Sequence, residues 1–235
     1  MSRHLLPGDP PLEITLRRSA RARRFSLRVS RLDGRVTLSM PARAREAEAL
    51  RFAFDKAGWL RSILDGAASR TELAFGTTVP FEGRALTLTV AAVRAVRVDG
   101  DALLAPADPD RLGARVAAFL KLAARQRLQA ACETHAGAIG RRFSRLTLRD
   151  PRSRWGSCTA DGGLMFSWRL IMAPPAVLDY VAAHEVAHLV EMNHSPAFWA
   201  VVRRLMPGYE PHRRWLKREG AALHRLDFAC GSADD

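Results

Sequence analysis

The chain has 235 residues, of which 48% are apolar, enough to bury a substantial core in one large domain or two small ones. No run approaches the roughly 18 apolar residues of a membrane span, and residues 1–7 have no apolar core long enough for a secretion signal, so we expect a cytoplasmic protein without a membrane partner. The net charge is +13, and 34 of the 37 basic residues are Arg, which favours an acidic partner or reflects a compositional preference for Arg.

Apolar and polar side chains alternate in three short segments between residues 12 and 40. The apolar positions are Leu12, Ile14 and Leu16, then Phe25, Leu27 and Val29, then Val36, Leu38 and Met40. This period of two is typical of half-buried strands, and Asp33-Gly34 marks a turn between the last two segments. The pattern predicts an antiparallel meander.

The middle segment of this meander carries a basic stripe. Since its apolar residues face the core, Arg24, Ser26 and Arg28 face solvent. Arg side chains bind phosphate oxygens without reading the base sequence. We therefore expect weak nucleic-acid or nucleotide binding through this basic surface, and binding that falls with salt.

The rest of the first half mixes one helix with further strands. In residues 44–64 the apolar spacing becomes helical, with a stripe formed by Leu50, Phe54, Ala57, Leu60 and Leu64. Gly66 can end this helix as a left-handed cap. Short β-like runs follow at residues 79–81, 86–90 and 93–98. Together these elements predict an amino-terminal, antiparallel β-rich module spanning residues 1–105.

Residues 105–110, Ala-Pro-Ala-Asp-Pro-Asp, resemble a linker and the start of a helix. Asp110 is the predicted N-cap, and an apolar stripe follows at Val116, Phe119, Leu120, Ala123 and Leu128. We therefore place a domain boundary here and expect a second domain over residues 106–235. The mixture of sheets and helices predicts an α+β fold.

The second domain combines a small sheet with helices. A strand is expected around residues 146–148, and a hairpin pairs residues 152–158 with residues 164–172 across the turn Asp161-Gly162-Gly163. Two more helices are expected to close the chain.

A helix is predicted over residues 173–188, and it carries two histidines and a glutamate. His184 and His188 are four residues apart, so they project from one face of the helix and both imidazoles reach a single ion. Glu185 is one step around the helix, where its carboxylate is positioned to take a proton from a zinc-bound water. This His-Glu-x-x-His pattern predicts a Zn²⁺ site that catalyses hydrolysis.

A third ligand is needed to complete the metal site. The three cysteines, Cys132, Cys158 and Cys230, are far apart and odd in number, so neither a disulfide framework nor a cysteine zinc ribbon is available. The remaining candidates are Glu191, His194, Glu210, His212 and His224. Glu191 extends the helical row and cannot make a tetrahedral corner. His194 is favoured, because Asn193 can end the helix in a left-handed conformation and fold His194 back toward the metal.

Several motifs resemble one known family. They are residues 154–158 (Arg-Trp-Gly-Ser-Cys), 166–171 (Phe-Ser-Trp-Arg-Leu-Ile), 184–188 and 193–199 (Asn-His-Ser-Pro-Ala-Phe-Trp), with further similarity at residues 17–29, 34–36, 206–210 and 215–217. These segments are similar to the YgjP-like metallopeptidases, relatives of the SprT and WLM zincins. The resemblance implies a compact zincin catalytic domain with His184, His188 and His194 as metal ligands and Glu185 as the acid/base.

The resemblance also bears on substrate binding. It implies an edge strand ahead of the metal helix that pairs with an extended peptide, and residues 164–172 are the candidate. Zincins often have a Tyr or His that donates to the oxyanion, and Tyr209 follows the metal site in a Pro-Gly turn. Arg154, Trp155, Trp168 and Trp199 receive no catalytic role.

Three functions fit the sequence. The first is a zinc metallopeptidase acting on a peptide or protein substrate. The second is a metal-dependent nucleotide pyrophosphatase or phosphohydrolase, although the chain has no Walker-type glycine-rich loop. The third is a nucleic-acid-associated protease or a binding module with a vestigial zinc, and Glu185 argues against a purely structural zinc because such a site does not need that carboxylate.

Overall fold

The computed structural model describes residues 2–8, 11–30, 34–65, 71–151 and 153–228. These residues form several small sheets and six α-helices, which confirms the α+β class. None of the described helices combines the length and apolarity needed to cross a membrane. The chain divides into two compact units, residues 1–69 and residues 70–235.

The first unit contains a four-stranded sheet and two helices. In chain order these are β1 (Ser2–Leu6), β2 (Leu12–Ser19), β3 (Ser26–Val29), β4 (Val36–Pro41), α1 (Glu46–Asp55) and α2 (Ala57–Asp65). The strand order is β1-β2-β4-β3, and β2 runs parallel to β4. The predicted meander is therefore wrong at this pair. The reason is burial: Val36, Leu38 and Met40 of β4 are almost fully buried, so β4 takes a central position and leaves β3 at the edge.

Helices α1 and α2 cover one face of this sheet through small residues. The helical stripe predicted for residues 44–64 is interrupted at Lys56, which ends α1. Ala49, Ala53 and Leu60 are fully buried, whereas Phe54, predicted to be apolar core, is 56% exposed. The alanines allow the helices to approach the sheet closely. The predicted turn residue Asp33 and the predicted cap Gly66 lie outside the described residues.

The second unit is larger and begins with a sheet and a long helix. Its elements are β5 (Thr71–Glu72), β6 (Thr78–Phe81), β7 (Arg84–Val90), β8 (Arg97–Asp99), β9 (Ala102–Ala105), α3 (Pro109–Ala138), β10 (Arg145–Arg149), β11 (Gly156–Cys158), β12 (Gly163–Ser167), α4 (Pro175–Ala187), α5 (Pro196–Leu205), α6 (Glu210–Glu219) and β13 (Leu226–Asp227), with 3₁₀ helices at Trp168–Met172 and Gly220–His224. The sheets are β6-β7-β9-β8, β10-β12-β11 and the pair β13-β5. Helix α6 was not predicted.

The division between the units falls at residues 69 and 70, earlier than the expected boundary at residues 105 and 106. Strand β9 occupies the start of the predicted linker and pairs with β7 and β8. Leu88 of β7 and Leu103 of β9 share one core with Leu120 of α3. This shared core joins β6–β9 to the second unit. Helix α3 begins after Asp108, the N-cap residue, and not after Asp110.

The sheet beside the metal-site helix has β12 at its centre. Strand β12 pairs in parallel with β10 and antiparallel with β11, so the predicted hairpin is present. The strand ends at Ser167, and a 3₁₀ helix follows. Residues 164–172 therefore cannot be the predicted edge strand, because β12 has a partner on each side and the rest of the segment is helical. Strand β11 is the edge strand nearest to the metal-site helix.

Candidate metal centre

Helix α4 carries the predicted metal motif at its carboxyl end. Pro175 occupies the first turn, where a missing N–H costs nothing. Val177 and Val181 are buried on its core side. The helix ends at Ala187 with His188 as the C-cap residue, so His184 and Glu185 lie in the last turn. The chain is therefore free to change direction directly after the second histidine.

The turn after α4 is built by side-chain hydrogen bonds and not by a left-handed Asn193. Among the described residues, Glu82 is the non-glycine residue with positive φ. The Asn193 Oδ1 accepts a hydrogen bond from the Ser195 N–H (3.1 Å). The Ser195 Oγ accepts one from the Phe198 N–H (3.3 Å) and caps α5. These bonds bring His194 back toward α4, as predicted, by a different turn.

Three imidazoles converge at this point. One ring nitrogen from each of His184, His188 and His194 lies within 4.8 Å of the others, and the Nε2 atoms of His184 and His194 are 3.1 Å apart. Two ligands of one tetrahedral zinc, each at about 2.0–2.1 Å, lie about 3.4 Å from each other. The spacing and the three nitrogen donors therefore fit a zinc ion.

The other ring nitrogen of His188 has a hydrogen-bond partner in the backbone. Its Nδ1 lies 2.9 Å from the carbonyl oxygen of Glu191. An Nδ1–H that donates to this carbonyl leaves the Nε2 lone pair for a metal. Glu191 lies beyond the end of α4, so the predicted straight row of three helical side chains does not form. Glu191 contributes its backbone, and its carboxylate is not part of the three-histidine group.

Phe198 supports all three imidazoles. Its side chain is fully buried, and its ring centroid lies 4.9 Å from that of His184, 4.4 Å from that of His188 and 4.8 Å from that of His194. An aromatic ring at this position holds the histidines by packing and excludes water from one side of the site. The position of Phe198 in α5 follows from the Ser195 cap.

The environment favours neutral histidines. Burial lowers the pKa of His184 to about 3, with further contributions from His188, His194 and Arg213. Burial is also the main cause of the lowered pKa of His188. Neutral imidazole is the form that binds a metal, so these two side chains are prepared for ligation at neutral pH.

Glu185 is buried beside the histidines. Its exposed fraction is 6%, and burial raises the pKa of its carboxyl to about 8, while the charge of Arg154 acts in the opposite direction. Gly156 of β11 lies directly against this side chain: a Cβ at residue 156 would be 2.6 Å from both Cγ and Oε1 of Glu185. The Arg-Trp-Gly-Ser-Cys motif therefore includes a glycine that makes space for the carboxylate.

A cavity of about 240 Å³ connects these groups. It is lined by Arg154, Gly156, Ser157, Cys158, His184, Glu185, His188, Met192 and His194. Arg154 received no role from the sequence, yet it is the positively charged side chain of this cavity. In the sequence, the feature that could have indicated this role is the position of Arg154 two residues before Gly156. Cys158 is a thiol at neutral pH, since burial and the nearby Glu185 raise its pKa to about 11.

The other candidates lie elsewhere. Glu210, His212 and His224 are outside the three-histidine group, and the His224 ring packs on Trp155 at 5.2 Å. Tyr209 is 4% exposed, and its ring stacks between those of Tyr180 (5.8 Å) and Trp199 (5.5 Å). It is not among the residues that line the cavity.

Comparisons with known proteins identify a family. Residues 23–219 match the YgjP-like metallopeptidase domain family. No curated protein matches the chain. Among solved structures, the metallopeptidase zymogen abylysin of Pyrococcus abyssi is 19% identical, with a TM-score of 0.36 over 42% of this chain and 97% of that one. On the match over most of its length, the chain belongs to the YgjP-like metallopeptidase family.

Proposed function

We propose that this chain is a zinc metallopeptidase that hydrolyses peptide bonds at the centre formed by His184, His188 and His194. The observation that carries the proposal is the convergence of three imidazoles beside the buried carboxylate of Glu185 in one cavity. Three protein ligands leave one coordination position open, as in catalytic zinc sites. When bound, zinc supplies Lewis acidity and lowers the pKa of water toward about 7.

Glu185 acts as the general base and then as the general acid. Burial raises the pKa of its carboxyl, which makes the protonated form that donates to the leaving group accessible near neutral pH. The carboxylate takes a proton from the attacking water and later gives a proton to the leaving amine nitrogen, so it returns to its starting state. The contact with Gly156 fixes the carboxylate on the side of the cavity that β11 forms.

Strand β11 binds the substrate backbone. It is the edge strand of the sheet β10-β12-β11, and its residues Gly156, Ser157 and Cys158 line the cavity. An extended peptide that adds to this edge places its backbone beside the histidines. Arg154, at the start of the same segment, faces the cavity as a positive charge that stabilises the oxyanion formed during hydrolysis.

Tyr209 stays a prediction as an oxyanion donor. Its stacking between Tyr180 and Trp199 supports a packing role, whereas the cavity position of Arg154 supports an electrostatic one. We expect Arg154→Gln to lower kcat more than Tyr209→Phe does, with zinc content unchanged in both. If kcat falls more in Tyr209→Phe than in Arg154→Gln at full zinc content, Tyr209 is the group that donates to the oxyanion.

The decisive experiment compares the wild type with Glu185→Gln. Both proteins are assayed for zinc by mass spectrometry and for hydrolysis against a broad peptide library and against nucleoside triphosphates. We expect equal zinc content and a loss of peptide hydrolysis of the order of 10² or more in the variant, because the general base is removed. Near-normal turnover excludes the role of Glu185. If the wild type hydrolyses nucleoside triphosphates and no peptides, the proposed function changes from a peptidase to a phosphohydrolase.

A further inference from the structure

The sheet of the first unit has a face that its helices do not cover. Its inward face packs with α1 and α2 through the apolar side chains of β2 and β4. Because strand side chains alternate, the other residues of each strand point to the opposite side. We call this side the open face, and it consists of Arg3, Leu5, Glu13, Thr15, Arg17, Ser26, Arg28, Thr37 and Ser39.

The pairing register arranges these residues in rows across the sheet. One row runs Arg3, Thr15, Thr37 and Arg28 across β1, β2, β4 and β3. The next row holds Arg17, Ser39 and Ser26. Each row has hydroxyl groups at its centre and an arginine at one or both ends. Arg17 lies beside Ser39 because β2 and β4 are parallel with this register.

The positive charge of this surface is largely uncompensated. Residues 1–69 contain 14 Lys and Arg against 7 Asp and Glu, about half of the net charge of the whole chain in less than a third of its length. Arg17 and Arg28 are exposed, as is Arg24 just before β3, and none of the three forms an ion pair with another described residue. Arg3 is the exception, since Glu13 lies 3.4 Å from it.

We propose that the open face binds the phosphate backbone of nucleic acids. Arg17 and Arg28 lie one row and two strands apart, about 7 Å along the strands and about 10 Å across them, and the hydroxyl residues Thr37 and Ser39 of β4 lie between their two strands. Arginines and hydroxyl donors recognise phosphate oxygens and carry no sequence information. Binding is therefore independent of base sequence.

The composition of the face favours nucleic acid over a membrane surface. Membrane-binding surfaces combine basic residues with several apolar side chains that enter the lipid. On the open face, Leu5 is the one large apolar side chain that the structure shows as strongly exposed, at 68%. Hydroxyl groups occupy the central positions of both rows. The face thus offers charge and hydrogen-bond donors, with Leu5 as its one strongly exposed apolar side chain.

The test uses the intact chain and a fluorescein-labelled 20-nucleotide single strand, with fluorescence anisotropy measured over a range of salt concentrations. Arg17→Glu with Arg28→Glu removes two charges from the open face. Arg111→Glu with Arg142→Glu makes the same change in net charge at two exposed arginines of the second unit. Arg17→Gln with Arg28→Gln serves as the neutral version if the charge reversal lowers the melting temperature.

We expect micromolar binding by the wild type, since non-specific complexes have Kd values of about 10⁻⁴ to 10⁻⁶ M. The open-face variant should bind at least tenfold more weakly, and its slope of log K against log salt should fall by about 1.4, corresponding to two lost contacts at about 0.7 each on a single strand. The control variant should change Kd less than threefold. The binding assay does not depend on hydrolysis or on zinc.

Three outcomes overturn the proposal. The first is no binding by the wild type even at low salt. The second is an equal loss in both charge-reversal variants, which means that net charge and not the open face attracts the oligonucleotide. The third is binding of the wild type to phosphatidylglycerol vesicles, lost in the open-face variant, together with no oligonucleotide binding.

Discussion

The metal centre and the open face hold their polar side chains in opposite ways. At the metal centre, Glu185 and His188 are buried, and Phe198 contacts each of the three imidazoles. On the open face, Arg17 and Arg28 are exposed and make no ion pairs within the described chain. Burial shifts pKa values and holds side chains in place by packing, whereas exposed side chains keep more rotamers. Chemistry on a substrate requires the first arrangement, and binding a flexible polyanion requires the second.

This difference predicts a steep response at the centre. We expect His184→Ala or His188→Ala to abolish zinc binding and His194→Ala to weaken it strongly, because each removes one of three ligands. Glu191→Ala is the matched control and should leave zinc content near one per chain, since the residue contributes its backbone carbonyl. Zinc is measured by mass spectrometry after gel filtration. Full zinc content in the His194 variant reassigns the third ligand.

Packing beneath the centre should matter almost as much. We expect Phe198→Ala to destabilise the fold by about 3–5 kcal/mol and to weaken zinc binding, because it removes the ring that contacts all three histidines. Phe54→Ala is the control, since Phe54 is 56% exposed and its loss should cost about 0.5 kcal/mol or less. Urea unfolding measures both. Equal losses of stability in the two variants contradict the proposal that packing of Phe198 supports the three histidines.

A smaller effect is expected at the glycine beside the general base. Gly156→Ala introduces a Cβ 2.6 Å from Glu185, so the carboxylate must move, and we expect kcat to fall about tenfold with zinc retained. Gly137→Ala in α3 is the control, since no atom lies within 4 Å of its added Cβ, and the fold should be stabilised slightly. A normal kcat for Gly156→Ala contradicts the proposal that the contact between residue 156 and Glu185 positions the carboxylate.

The least effect on hydrolysis is expected from the open face. Arg17→Glu with Arg28→Glu should leave zinc content and kcat/KM for a short peptide within twofold of the wild type, because neither residue lines the cavity. Adding Arg24→Glu should not change this result. A tenfold loss of peptide hydrolysis means that the open face contributes to hydrolysis, and it contradicts the separation of the two regions proposed here.

The sequence predicted the grouping of the three histidines better than it predicted the order of the strands. The helical spacing of His184 and His188, with Glu185 between them, was sufficient for the metal motif, because helix geometry alone puts these side chains on neighbouring positions. His194 joins His184 and His188 in one group, as expected, and its role as a metal ligand stays a prediction. The α+β class and the hairpin of β11 and β12 followed from local patterns. The parallel pairing of β2 with β4 did not, because it depends on which strand buries most side chains.

The sequence by itself determined the features whose relation is local: two histidines four positions apart, a helix that begins with proline, and the periodicity of the strands. The tertiary structure alone decided the relations between distant segments. It brought Gly156 and Arg154 to Glu185, made β11 the edge strand and β12 the central strand, packed Phe198 against three histidines and stacked Tyr209 between Tyr180 and Trp199. Such contacts arise from packing between elements far apart in sequence, and no spacing along the chain encodes them.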